Sequence, residues 1–306
     1  MIVVLAGGTG AAKFLNGLVQ VVDREDIYVI GNTGDDAVFF GLHVSPDLDT
    51  ICYTLANEVN HGTGWGLSNE TWNAMATVER YGGDTWFHLG DRDLGTHLYR
   101  TARLREGATL SLVTQEIAEA WRIGIDLVPM TDSPVRTYLE LLDGTEVAFQ
   151  DYFVKLRHSV PVTAVSFRGA SKAVPTEGIL EAIGEAEQIL IAPSNPIVSI
   201  GPILAIQGIR ELLEKNRDKV KAISPIVAGL ALKGPADRLL RELGYESSVV
   251  GVAGLLADVA DKLVIDEQDM ALAKSISEMD IKPVVTNTIM STPELAKNLA
   301  SVVIDC

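Results

Sequence analysis

Short, unbroken apolar runs of strand length alternate along this chain with longer stretches in which apolar residues recur every three or four positions. Continuous apolar runs suit strands buried on both faces, and their alternation with helical segments marks a parallel sheet covered by helices. Met1-Ile2-Val3-Val4-Leu5-Ala6 reads as the first buried strand, followed by a glycine turn and a helix over 12–21. A second strand is expected over 27–30. Helices are expected over 49–59, 71–81, 94–104 and 110–121. Ile189-Leu190-Ile191-Ala192 reads as a strand leading to a helix near 202–216, and 222–227 as one leading to a helix near 236–243. The segments 262–265 and 283–286 precede helices near 269–279 and 293–300, and 301–304 reads as the last strand.

One region breaks the alternation. Two short alternating runs, 135–142 and 146–149, flank Asp143-Gly144-Thr145, whose Asp-Gly pair is a hairpin signal. A helical stretch and a strand over 162–167 follow. The expected architecture is therefore α/β. A Rossmann-like, mostly parallel sheet flanked by helices is built from 1–133 and 179–306, with a smaller α+β subdomain inserted at 134–178.

Composition narrows the function classes. The chain has 306 residues, 47% of them hydrophobic, enough to bury a large core and to exclude disorder for most of its length. Lys and Arg number 25 against 41 Asp and Glu, a net charge of −16, and no basic run is present. A duplex-binding surface needs clustered cations, so nucleic acid is not expected as a partner. Cys52 and Cys306 build no disulfide framework. The N-terminus lacks a secretory pattern, and no run approaches the roughly 18 apolar residues of a membrane span. A soluble cytoplasmic protein with no membrane partner is expected.

Five segments carry candidate chemistry. Gly7-Gly8-Thr9-Gly10-Ala11-Ala12-Lys13 follows the first strand and opens a helix, a place where backbone N–H groups meet an anion. Phe14 after Lys13 breaks the P-loop pattern, and Lys13 itself breaks the dinucleotide fingerprint, so the expectation is a phosphate-contacting loop of another kind. Asn32-Thr33-Gly34-Asp35-Asp36 follows the second strand; its acids suit ribose hydroxyls or a guanine edge, and a solvated turn is an equal alternative. In Ser45-Pro46-Asp47-Leu48-Asp49-Thr50, Ser45 suits an N-cap and Pro46 the first helical position. Its two carboxylates also suit a hard cation such as Mg²⁺, and Asp49 suits the orienting of an attacking hydroxyl.

Three of the four tryptophans fall between Gly64-Trp65-Gly66 and Trp86-Phe87-His88-Leu89-Gly90-Asp91-Arg92-Asp93. Flat apolar faces among glycines suit a planar ring system, and Arg92 suits a phosphate or carboxylate. The same stretch also reads as a tryptophan-built core with a capping aspartate. His88 and His97 stand close enough to the Asp-Arg-Asp triplet to line a site. Pro193-Ser194-Asn195-Pro196, between a buried strand and a helix, offers short polar groups for an anion. Neither a zinc-ligand spacing nor a Gly-x-Ser-x-Gly elbow occurs.

In order and spacing these motifs resemble the 2-phospho-L-lactate transferase family of coenzyme F-420 biosynthesis. Its members share the opening Gly-Gly-Thr-Gly, the Ser-Pro-Asp-x-Asp-Thr segment, a Gly-Trp-Gly…Glu-Thr-Trp stretch, the Leu-Gly-Asp-Arg-Asp-Leu-x-Thr-His block and the Pro-Ser-Asn-Pro loop. One departure is Gly95, where alanine is usual. The resemblance implies transfer of a 2-phospholactyl group from lactyl-2-diphospho-5'-guanosine to the ribityl hydroxyl of the deazaflavin Fo. GMP leaves, a phosphodiester forms, and Mg²⁺ is required. Bacterial relatives use an enolpyruvyl or other three-carbon donor. On that basis Gly8, Thr9, Gly10, Ser194 and Asn195 are expected to contact the guanosine diphosphate. Asp47 and Asp49 are expected to hold Mg²⁺ and act in catalysis, and Asp49, Arg92, Asp91, Trp65 and Trp86 to meet Fo. A homodimer is the family-level expectation. The alternatives are a related nucleotide-sugar-binding regulatory protein without transferase activity, a dinucleotide-dependent oxidoreductase, and an interaction protein with no small ligand.

Overall fold

The computed structural model describes residues 1–306. Seven strands form one sheet: β1 (Ile2–Ala6), β2 (Ile27–Gly31), β3 (Asp126–Pro129), β4 (Gln188–Ile191), β5 (Val220–Ile223), β6 (Lys262–Asp266) and β7 (Lys282–Thr286). All pairings are parallel, and the order across the sheet is β3-β2-β1-β4-β5-β6-β7. Side chains alternate across a strand, so β1 feeds both halves of the core. Val3 and Leu5 join one apolar cluster, and Ile2, Val4 and Ala6 join the other. No single helix is long and apolar enough to cross a membrane.

The helices that matter for the site are α1 (Gly8–Leu18), α2 (Pro46–Leu55), α3 (Asn73–Arg80), α4 (Asp91–Arg105), α5 (Leu110–Ala120) and α6 (Pro293–Asp305). The hairpin signal sits where expected. Arg136–Leu141 pairs with Glu146–Ala148 on one side and Val162–Arg168 on the other in an antiparallel sheet. At its turn the Thr145 N–H donates to Asp143 Oδ1 at 2.9 Å, and Gly144 takes φ 81°.

Several expected elements differ. The strand expected over 301–304 is the last turn of α6. Val303 extends the buried stripe of Ala296, Leu299 and Ala300, and no glycine or proline stops the helix between them. Its β-branched residues are overridden by packing on α1. The contact is close at Gly17, where a Cβ would stand 2.3 Å from Ala296 O. The helix expected over 202–216 breaks at Gly208 (φ 86°), and Pro196–Leu204 and Ile209–Lys215 lie at 92°. Strand β3 and the helix Val249–Leu256 were not expected. β3 is a four-residue edge strand ending in proline, with little apolar run to signal it.

Candidate active site

In this strand order the connections after β1 and β4 leave toward opposite faces, and a crevice opens between them at the carboxyl ends of the strands. Here those connections are Gly7-Gly8-Thr9-Gly10 and Pro193-Ser194-Asn195, and both line a cleft of about 550 Å³. The loops touch: the Gly7 N–H donates to Ser194 Oγ at 3.2 Å, and a Cβ at Gly10 would lie 2.3 Å from the Pro193 carbonyl oxygen. A third loop meets them at Gly7. A Cβ there would stand 2.6 Å from Asp47 Oδ2, 2.9 Å from Ser199 Cβ and 3.1 Å from Asn32 Cβ. Close approach, more than conformational freedom, explains glycine at these two positions. Asn195 spends its Oδ1 accepting from the N–H groups of Ile197 (3.0 Å) and Val198 (3.3 Å), while its buried Nδ2 has no partner. That leaves a donor for a ligand.

The acids after β2 and at the start of α2 form one buried group. Asn32 Nδ2 donates both to Asp35 Oδ1 (2.9 Å) and to Asp47 Oδ2 (3.0 Å). Burial pushes Asp47 up to about 6, against the pull of the Asn32 amide and the Gly8 N–H. Burial, and then the charges of Asp47 and Asp36, push Asp35 well above the usual carboxylate range. Ser45 begins α2 but does not cap it with its side chain; its hydroxyl donates to Asp36 Oδ2 at 2.9 Å, beside His43 Nε2.

A divalent cation fits Asp47 with Asp35. Both line the cleft, each keeps a carboxylate oxygen free of Asn32, and a positive ion would relieve their repulsion. No group of three acidic, histidine or cysteine ligands is gathered here. Water and phosphate oxygens would complete the shell, as Mg²⁺ ordinarily arranges. The expected pairing of Asp47 with Asp49 does not fit. Asp49 lines the cleft, but Arg100 clasps both its oxygens, Nη1 to Oδ2 at 3.1 Å and Nη2 to Oδ1.

Arg100 is 1% exposed and went unnoticed in the sequence. The signal was its spacing: Asp93, His97 and Arg100 fall at i, i+4 and i+7, one face of α4. His97 Nδ1 lies 3.4 Å from Arg100 Nη1, and Nε2 lies 3.3 Å from Asp93 Oδ2. Since arginine only donates, Nδ1 is the accepting nitrogen of the contact with Arg100. Tyr53 Oη stands 2.7 Å from Asp93 Oδ1. Burial pushes this phenol well above its ordinary value, and the charges of Asp49 and Asp93 add to that. Asp93 is held low despite its burial by His97, Tyr53 and Arg100.

The other half of the Asp-Arg-Asp block points elsewhere. Asp91 accepts from Thr71 Oγ1 (2.6 Å) and from the N–H groups of Asn73 (3.0 Å) and Ala74 (3.0 Å), capping α3. These bonds hold its carboxyl at about 2. Glu70 returns the favour at α4, accepting from the N–H groups of Arg92 and Asp93, each at 2.8 Å. Arg92 pairs with Glu58 at 3.0 Å and donates to Ser68 O at 2.6 Å. Asp91 thus ties α4 to α3, Arg92 ties α4 to the segment 58–68, and neither lines the cleft. Trp86 does not line it either. Its ring meets Phe39 edge-on at 5.3 Å, and the neighbouring Phe87 takes the place at the wall. Trp65, half exposed, does line the cleft, with Phe87, Phe149 and Phe153. Of the residues expected to bind, Gly8, Thr9, Gly10, Asp47, Asp49, Trp65, Ser194 and Asn195 meet in one cleft, and Asp91, Arg92 and Trp86 stand apart.

Asp266, at the end of β6, fixes a further wall. It accepts from Thr288 N–H (2.9 Å), Thr288 Oγ1 (3.2 Å) and Gln268 N–H (3.1 Å), and so sets the segment from Thr288 to Ser291 along the cleft.

Comparison with known proteins gives the arrangement a context. The chain is 50% identical over 256 residues to the phosphoenolpyruvate transferase of Streptomyces coelicolor, covering 82% of this chain and 80% of that protein. It is 40% identical over 306 residues to the 2-phospho-L-lactate transferase of Methanocaldococcus jannaschii, covering 98% and 97%. Protein BH3568 of Bacillus halodurans shares the fold, with a TM-score of 0.71 at 16% identity over 99% of this chain and 98% of that one. A family model described as 2-phospho-L-lactate transferase CofD matches residues 2–302. Sequence motifs, sheet order and relatives agree, and the chain belongs to the 2-phospho-L-lactate transferase family, a family of transferases.

Proposed function

We propose that this protein transfers a phosphorylated three-carbon acid from a guanosine diphosphate-linked donor to the ribityl hydroxyl of Fo, in the biosynthesis of coenzyme F-420. The observation that carries this reading is the meeting at Gly7 of the glycine turn, the Asp47 segment and the Ser194–Ser199 loop, beside a wall of Trp65, Phe87, Phe149 and Phe153. The polar side suits a diphosphate and the aromatic side a tricyclic ring.

In the reaction the hydroxyl oxygen bonds to the phosphorus bearing the three-carbon acid. The bond from that phosphorus to the bridging oxygen breaks, and GMP leaves with the bond's electrons. The hydroxyl proton passes to a phosphate oxygen of the departing GMP. Little covalent work falls to the protein in such a transfer, so positioning and charge dominate. The N–H groups of Thr9 and Gly10 and Asn195 Nδ2 hold phosphate oxygens, and the aromatic wall excludes water and orients the acceptor. Asp47 and Asp35 would hold Mg²⁺, which when bound supplies positive charge at the diphosphate. Asp49, with both oxygens on Arg100, acts as a fixed anion that shapes the site and not as a free base.

Two three-carbon groups compete for the donor. The motifs alone favour lactyl, whereas the name of the Streptomyces coelicolor relative favours phosphoenolpyruvate, and we infer the latter as the stronger reading. Incubating the protein with Fo, Mg²⁺ and either the lactyl or the enolpyruvyl donor tests both readings. GMP should appear in step with a deazaflavin phosphodiester, faster with the enolpyruvyl donor. Binding of guanine nucleotide with no transfer from either donor would instead favour a regulatory nucleotide-binding role.

A further inference from the structure

The lining of the cleft carries both signs of charge. Asp35, Asp47, Asp49 and Asp93 supply carboxylates, and the only lysine or arginine side chains lining the cleft are Lys13 and Lys233. In a chain with 41 acids against 25 basic residues, two lysines facing one cleft without a carboxylate partner need a reason. Lys233 donates only to the Thr63 carbonyl, and Lys13 is exposed and makes no ion pair. Lys233 and Thr9 of the glycine turn approach the same point beside Gly64: a Cβ there would lie 2.7 Å from Lys233 Nζ and 3.9 Å from Thr9 Cγ2. Lys13 stands three residues beyond Gly10 on α1, and helical side chains lean toward the helix N-terminus, here back toward the same turn. The two ammonium groups feel each other. Partial desolvation and then the Lys13 charge lower the pKa of Lys233. A bound anion removes that repulsion.

We propose that Lys13 and Lys233 form a clamp that holds anionic oxygens of the donor at its transferred end. The identity of the ligand rests on the transferase reading. The clamp itself requires only an anion beside the glycine turn. Phosphoryl and carboxylate oxygens share this chemistry, and both occur on a phosphorylated three-carbon acid linked to guanosine diphosphate. Because Thr63 Oγ1 donates to the Trp65 carbonyl at 2.6 Å, Lys233 also ties the anion side of the cleft to the loop carrying Trp65.

Calorimetric titration of GDP, and separately of the three-carbon donor, into wild type, Lys13→Gln, Lys233→Gln and Lys233→Arg tests the clamp. Charge-assisted hydrogen bonds of this kind lead us to expect at least about tenfold weaker donor binding in each glutamine variant, with partial recovery in Lys233→Arg. Raising salt should weaken wild-type binding more than that of the variants. If GDP weakens in parallel, the clamp holds diphosphate oxygens. If only the donor weakens, it holds the carboxylate. Either result supports it. Unchanged affinity for both ligands in both glutamine variants, with wild-type circular dichroism and melting, would overturn it. The GDP titration needs no turnover, so a wild type that binds GDP but transfers nothing defeats the transferase reading and leaves the lysine comparison intact.

Discussion

Replacing Asp49 with asparagine leaves the Arg100 guanidinium almost wholly buried without the carboxylate that now engages it twice. Breaking a buried ion pair from one side costs about 3–5 kcal/mol, because an uncompensated charge remains in a poorly solvated place. At about 2.1 cal/mol/K per residue, a chain of 306 residues unfolds with an entropy of roughly 0.64 kcal/mol/K. The melting temperature of Asp49→Asn should therefore fall by about 5–8 °C. Arg100→Met should cost a similar amount, since it leaves the Asp49 carboxylate unpaired. The double variant replaces the pair by groups of similar size and should melt no lower than the worse single variant, as a buried pair exchanged whole is often nearly neutral. Urea unfolding of all four proteins gives the coupling directly. Strictly additive losses, or singles that each cost less than about 1 kcal/mol, would show that Asp49 is not held by Arg100. Loss of transfer in Asp49→Asn would then reflect direct contact with substrate.

Four further substitutions probe the same geometry. Gly10→Ala places a methyl 2.3 Å from the Pro193 carbonyl oxygen and should drive the two loops apart. Overpacking of this kind costs about 1–3 kcal/mol, and GDP affinity measured by titration should fall with it; wild-type affinity would mean that the loops do not meet. Asp266, whose pKa sits below the ordinary carboxylate value because its hydrogen bonds outweigh burial, adds stability above the pKa of the unfolded chain. That stability is lost as pH falls through the lower folded value. The gap in urea stability between wild type and Asp266→Asn should accordingly be full at neutral pH and shrink below about pH 4, and a gap independent of pH would refute the assignment. Arg92→Gln should leave the Michaelis constant for the proposed acceptor Fo unchanged and cost at most about 1 kcal/mol, as an exposed pair does. Trp65→Ala should raise that constant, a contrast that steady-state kinetics would reveal or deny.

The sheet was legible because parallel strands buried on both faces leave continuous apolar runs. Strand β3 was not, being four residues long at the edge, and the end of α6 was misread because Val302-Val303-Ile304 favours a strand when taken alone. At the site, glycines, prolines and short polar residues marked the loops because backbone crowding at Gly7 and Gly10 demands them. What spacing along the chain does not encode is which way a charged side chain turns. Asp91, Arg92 and Asp93 are consecutive, yet one caps α3, one pairs with Glu58 and one enters the cleft. Asp35 was weighed only with its own loop, because nothing in its neighbours shows that Asn32 joins it to Asp47.

A crystal structure of the protein with GDP and Fo bound together offers the most direct check on the shared cleft. The diphosphate should lie along the turn from Gly8 to Gly10 within reach of Asn195 Nδ2. The deazaflavin should rest on Trp65 and Phe87, with its ribityl hydroxyl facing the terminal phosphate. Nucleotide and deazaflavin found on separate faces, or a ring stacked on Trp86 beside Arg92, would contradict it.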